Sequence, residues 1–136
     1  MKKLNRILLV DDDDTTNFLH QYLLKEMELA EHIDVALNGK EALDFIESYK
    51  LESLPDLVLL DINMPYMDGF EFLEKYQQLD NERKVGVTLM MLSTSVNPKD
   101  IEKSQHYSQP INFIDKPLTK DKIVAIWDQY FKHAGQ

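Results

Sequence analysis

The stretch Ile7-Leu8-Leu9-Val10-Asp11-Asp12-Asp13-Asp14 organises everything that follows in this chain. Four apolar residues in a row, without alternation, fit a strand buried on both faces, the kind found in parallel sheets. They run directly into four carboxylates, which repel one another and lose hydration unless something positive sits among them. A divalent cation held by oxygen ligands would relieve that repulsion. Capping and charge-matching the start of a following helix would account for the acids equally well. The octet alone leaves both readings standing.

Composition narrows the field. A length of 136 residues suits one domain with a proper core, and the expectation is a single domain over 1–136 with no output domain. Hydrophobic content of 43% and charged content of 29% are those of a globular protein in water. A net charge of −9 argues against nucleic acid as a direct partner, because phosphate binding needs clustered Lys and Arg. There is no cysteine, which excludes disulfides, zinc–thiolate sites and thiol catalysis. Metal chemistry must then use oxygen or one of four scattered histidines. The apolar run behind Met1-Lys2-Lys3 is too short for a signal peptide or a membrane span, so a cytoplasmic protein without membrane insertion is expected.

Along the chain, short apolar runs alternate with amphipathic stretches. The spacing predicts strands at Arg6–Val10, Ile33–Ala36, Leu57–Leu60, Val85–Leu92 and Ile111–Ile114. Helix starts are written between them. Asn38 with Glu41, and Asp68 with Glu71, both fit a cap followed three residues later by Glu. Asn97-Pro98 sets a cap before a first-turn proline, and Thr119 caps the last helix. That last helix repeats Ile123, Ile126, Trp127 and Tyr130 on one face, and the first, about Thr15 to Met27, repeats Phe18, Tyr22 and Leu23. Five strands alternating with five helices predict one α/β domain, a doubly wound parallel sheet with right-handed crossovers. Pattern alone leaves the strand order open; if it is 2-1-3-4-5, the switch point lies between the first and third strands, and a site should form beyond their carboxyl ends.

The residues at those ends differ in kind. Strand one ends at Asp11-Asp12, strand three at Asp61, strand four at Ser93-Thr94-Ser95, and strand five at Asp115-Lys116-Pro117. An Asp after a strand is also an ordinary turn residue. Acid pair, lone acid, hydroxyl and lysine in this order are much more specific. Together with Leu9-Val10-Asp11-Asp12, the segments Leu59-Leu60-Asp61-Ile62-Asn63-Met64-Pro65, Met67-Asp68-Gly69, Leu92-Ser93-Thr94 and Lys116-Pro117 carry a family likeness. The chain resembles the response-regulator receiver domains, of the stand-alone chemotaxis-regulator type, over nearly its whole length.

That resemblance implies a flavodoxin-like sheet of order 2-1-3-4-5 and a phosphorylation switch in two-component signalling. It makes Asp61 the phosphoacceptor. Asp12 would bind Mg²⁺ directly, Asp11 directly or through water, and Asp61 and the Asn63 backbone carbonyl would complete the protein ligands. Ser93 would hydrogen-bond a phosphoryl oxygen, Lys116 would pair with Asp61 or its phosphoryl group, and Phe113 stands where the family has its switch aromatic. Asn63 and Ser95, each two residues past a site residue, would tune slow self-dephosphorylation. The implied donor is a histidine kinase or phosphotransfer protein. Output would be a protein contact through the face of helix four, strand five and helix five. Apart from this self-phosphorylation and self-dephosphorylation no enzyme activity is expected.

The plainer readings stand beside these. Asp13 and Asp14 fit a helix start better than a metal site. Thr94 is the neighbour that could be mistaken for the Ser93 hydroxyl. Phe113 could be simple core, and Trp127 is expected against the sheet. The segment Tyr107–Asn112 departs from the small residues the family often has before strand five, and Pro110 removes a backbone donor there.

Two rivals remain. A phosphatase working through an aspartyl-phosphate would need an acid two residues past its nucleophile, and Asn63 cannot do that proton transfer. A receiver-fold binding module that works without phosphorylation is opposed by the intact set Asp12, Asp61, Ser93 and Lys116. An EF-hand at Asp61–Phe72 lacks the Gly at loop position six and the Glu at twelve.

Overall fold

A computed structural model of the chain describes residues 1–94, 98–105 and 112–131. Strands β1 (Leu4–Val10), β2 (Ala30–Ala36), β3 (Leu57–Asp61), β4 (Thr88–Ser93) and β5 (Asn112–Asp115) alternate with helices α1 (Asp14–Glu26), α2 (Gly39–Ser48), α3 (Gly69–Gln77), α4 (Pro98–Ser104) and α5 (Lys120–Tyr130). All strand pairs are parallel, and the sheet order is β2-β1-β3-β4-β5. This is the flavodoxin-like, doubly wound sheet that the alternation and the resemblance predict.

The unbroken apolar runs follow from burial on both faces. A strand sends successive side chains to opposite sides. Leu8, Val10, Val58, Leu60 and Met91 thus meet Ala42 and Ile46 of α2 and Phe70, Phe72 and Leu73 of α3. Ile7, Leu9, Leu57, Leu59, Met90 and Leu92 meet Leu24 of α1 and Ile123, Ile126 and Trp127 of α5. Trp127 lies buried against the sheet as expected, and its indole N–H donates to the Lys2 carbonyl at 2.7 Å. Polar punctuation works as its residue types dictate. Asn38 accepts from the Glu41 N–H, Thr119 accepts from the Lys122 N–H, and Asp68 with Glu71 forms a complete capping box.

Strand boundaries move, β1 beginning at Leu4 rather than Arg6 and β3 ending at Asp61 rather than Leu60. β2 begins three residues before the predicted Ile33, because pairing of Leu4 with Ala30 carries the ladder through polar Glu31 and His32 on this edge strand. β4 begins at Thr88 rather than Val85, since Gly86 sits at φ +85 in a turn and Val85 points to solvent. β5 runs from Asn112 to Asp115; Ile111, Asn97 and the segment 107–110 lie outside the described residues.

The face of α1 is the larger correction. Phe18 and Tyr22, which recur on the apolar face read from the sequence, are 65% and 61% exposed, while Asn17, His20 and Leu24 are buried. The first turns of α1 lie at the carboxyl edge of the sheet, where they meet backbone polar groups. There a buried amide and imidazole find partners and an aromatic face does not.

The end of α1 carries a testable strain. The Leu29 N–H bonds the Leu24 carbonyl and the Glu28 N–H bonds the Lys25 carbonyl, which is a Schellman motif closed by buried Leu24 and Leu29. Glu28 therefore occupies the left-handed position, at φ 54, where glycine is favoured. Glu28→Gly is expected to raise stability by about 1 kcal/mol, read as a higher midpoint in urea at unchanged slope.

Candidate functional site

The β2-β1-β3-β4-β5 order sets the ends of β1 and β3 side by side and brings β4 and β5 in beyond them. Asp11 follows β1, Asp61 closes β3, Ser93 closes β4, and Lys116 follows β5. One carboxylate oxygen from each of Asp11, Asp12 and Asp61 falls within 4.8 Å of the others. Asp11 and Asp61 are buried and Asp12 is exposed, so the cluster has a buried floor with one acid at its solvent edge.

Lys116 binds the floor together. Its ammonium lies 2.5 Å from Asp11 Oδ2 and 3.1 Å from Asp61 Oδ1. The sequence pairs it with Asp61; the shorter contact is with Asp11, because a point charge between two buried carboxylates relieves both. Backbone bonds aim the lysine. Its N–H donates to the Ser93 carbonyl at 2.9 Å, continuing the β4–β5 ladder, and the Lys116–Pro117 peptide is cis. Asp11 is held from behind, its Oδ1 accepting the Asp13 N–H and its carbonyl accepting the Asn17 amide at 2.9 Å.

The charges feel this crowding. Burial, then the negative charge of Asp11, pushes the Asp61 carboxyl above its ordinary range, and Lys116 only partly opposes that. Burial pulls the Lys116 ammonium down, but the hydrogen bond and charge of Asp11, then Asp61, more than offset it and hold the ammonium protonated. Burial lowers the His20 imidazole, which stays neutral at neutral pH.

The other expected residues fall in different surroundings. Ser93 is buried and Thr94 exposed, so of the two hydroxyls Ser93 is the inward one. Asn63 is exposed on the loop after β3. Phe113 is half-buried opposite Met91 and packs on the core shared with α2 and α3. Ser95 lies outside the described residues. The run of aspartates divides, since Asp13 caps α1 through the Thr15 N–H and the Thr16 hydroxyl, and Asp14 opens the first turn. Asn17 and His20 escaped the sequence reading. Their signal was two polar residues three apart on a helix, which share a face.

The loop from β3 to α3 is packed tightly onto this floor. A Cβ added to Gly69 would lie 2.8 Å from the Asp61 carbonyl and 2.7 Å from Met91 Cε. Only glycine lets the α3 start approach the end of β3 so closely.

Three hard oxygen donors with a fourth carbonyl within reach in sequence suit a small divalent cation such as Mg²⁺, and among the described residues no imidazole joins the cluster. Among the described residues, no helix is long and apolar enough to cross a membrane.

Comparison with known proteins agrees with this geometry. The family model of the response regulator receiver domain matches residues 7–128. Two-component response regulator 24 of Arabidopsis thaliana is 35% identical over 121 residues, which are 88% of this chain and 78% of that protein. The chemotaxis protein CheY of Halobacterium salinarum is 32% identical over 120 residues, 88% of this chain and 90% of that one. A solved two-component response regulator from Cytophaga hutchinsonii superposes with a TM-score of 0.84 at 28% identity, covering 97% of this chain and 100% of its own. The match from Ile7 to Asp128 takes in the last four residues of β1, all of β2 to β5 and the whole acid–lysine cluster, and this chain belongs to the response-regulator receiver family of two-component signalling.

Proposed function

We propose that the domain is a phosphorylation switch in which Asp61 accepts a phosphoryl group from a phosphohistidine on a histidine kinase or phosphotransfer protein. The observation that carries this is the Lys116 ammonium set between the Asp61 and Asp11 carboxylates. In the transfer an Asp61 oxygen forms the new O–P bond while the donor's N–P bond breaks. The electron pair returns to the imidazole nitrogen, which takes up a proton. Two negative species meet in that step, and Lys116 offsets their repulsion at the reacting oxygen. Asp11, Asp12, Asp61 and the Asn63 carbonyl would hold Mg²⁺, which when bound would add positive charge to the site.

Ser93 gives the switch its differential contact. Its hydroxyl can donate to a phosphoryl oxygen that exists only after transfer, so the phosphorylated domain favours a different arrangement at the end of β4. Phe113, one strand over, sits where such a shift reaches the face formed by α4, β5 and α5, and a partner protein reads that face. Asn63 and Ser95 tune how fast water removes the phosphoryl group. The reading implies work in the cytoplasm, with no nucleic acid bound directly and no activity on other substrates.

Incubation with Mg²⁺ and a small acyl phosphate, followed by intact mass, is the direct test. A single phosphoryl adduct that disappears in Asp61→Ala is expected. A wild-type protein that never gains the adduct would instead be a binding module, and sustained turnover of phosphate esters would make it a phosphatase.

A further inference from the structure

The inner face of α1 carries two buried polar residues where packing against the sheet calls for apolar ones. Asn17 and His20 are 5% and 2% exposed. Asn17 donates to the Asp11 carbonyl, and its own Oδ1 is buried without a hydrogen-bond partner among the described residues. An orphaned buried acceptor costs stability, as does a buried imidazole, so neither residue is explained by packing alone. What each provides is a bond to backbone that carries the site. His20 Nε2 accepts the Leu118 N–H at 3.3 Å, across 98 residues of sequence.

Leu118 stands two residues past Lys116. The backbone on the other side of the lysine is tied by its N–H to the Ser93 carbonyl at 2.9 Å. The lysine is thus held between β4 on one side and α1 on the other. The same helix, one turn earlier, holds the carbonyl of Asp11, whose carboxylate is the shorter of the two contacts of Lys116. A nitrogen that accepts a hydrogen bond has no proton, so His20 must be neutral with its proton on Nδ1.

We infer that His20 is a positioning residue for Lys116: its imidazole fixes the Leu118 N–H and so sets the lysine's reach to Asp61, with Asn17 fixing the Asp11 end of the same ion pair. The consequence for phosphoryl acceptance rests on the function proposed above; the hydrogen bond does not. Lys122 also ties the loop, donating to the carbonyls of Asp115 and Pro117 from a partly exposed position. His20 supplies the buried anchor.

The test joins structure and rate. In the wild-type protein, nitrogen NMR is expected to show His20 with Nδ1 protonated and Nε2 bare, and slow hydrogen exchange at the Leu118 amide. The opposite tautomer, or an unprotected amide, overturns the inference without any variant. His20→Leu keeps the volume but removes the acceptor. It is expected to speed Leu118 exchange and to slow phosphorylation by a small acyl phosphate about tenfold, close to the effect of one lost hydrogen bond. His20→Gln, which keeps an acceptor, should recover most of that rate. In a Lys116→Met background, His20→Leu should change the rate less than twofold. Equal slowing in both backgrounds, or a wild-type rate in His20→Leu, overturns the inference. If wild-type protein gains no adduct, the proposed switch fails while the NMR result still decides the role of His20 in the loop.

Discussion

Lys116→Met is expected to slow phosphoryl acceptance at Asp61 by about 10²–10³-fold while leaving the fold intact. Methionine keeps much of the stem and removes the ammonium, so the loss reports charge rather than volume. The ammonium lies 3.1 Å from the Asp61 carboxylate and 2.5 Å from that of Asp11. Without it, two buried carboxylates face one another. The Asp61 carboxyl, already raised by burial and by Asp11, climbs further, and less of it is ionised to attack. Lys116→Arg should recover little, because a planar fork cannot sit as a compact charge between two acids. Initial rates of adduct formation by intact mass, with near-unchanged circular dichroism, test this. A rate within threefold of wild type would mean that the lysine holds structure and not the reacting charge.

Much of this arrangement could be read in the sequence, and the reasons are local. The runs Ile7–Val10 and Leu57–Leu60 are apolar at every position because α1 and α5 cover one face and α2 and α3 the other. The caps at Asn38, Asp68 and Thr119 announce their helices because a short polar side chain must satisfy the first free N–H groups. Asp11, Asp12, Asp61 and Lys116 could be gathered in advance because each stands at, or one or two residues past, the carboxyl end of a strand of one parallel sheet.

What escaped the sequence depends on tertiary context. Phe18 and Tyr22 recur at helical spacing just as core residues do, and nothing local says that Asn17 and His20 face inward instead. Their partners, the Asp11 carbonyl and the Leu118 N–H, are backbone groups with no signature in the side chains. The shorter Lys116 contact to Asp11 was equally hidden. Motif position places a lysine near both acids, but the distances follow from how Ser93 and Leu118 hold its backbone.

The second large effect concerns stability, and it changes sign with metal. Without a divalent cation at neutral pH, Asp61→Asn is expected to be more stable than wild type. Burial and the charge of Asp11 make the ionised Asp61 carboxylate unfavourable in the folded protein, and a neutral amide avoids this while Lys116 keeps Asp11 at 2.5 Å. The pH dependence follows from the direction of the shift. A carboxyl whose folded pKa is raised binds more protons when folded, so its penalty is full above the folded pKa and fades as pH falls through that value. The gap between variant and wild type should therefore close in acid and stay open at neutral pH. Adding Mg²⁺ at a hundred times its dissociation constant should stabilise wild type by about 2.7 kcal/mol, or about 10 °C in a domain this size. Asp61→Asn and Asp12→Ala each lose a carboxylate from the cluster and should gain much less. Thermal melts across pH, with Mg²⁺ and with chelator, show both effects at once. A variant that is less stable than wild type in chelator, or that gains as much from Mg²⁺, would mean that Asp61 is held for structure. A stability cost confined to the metal-free protein is what a carboxylate kept for reaction, not for folding, should display.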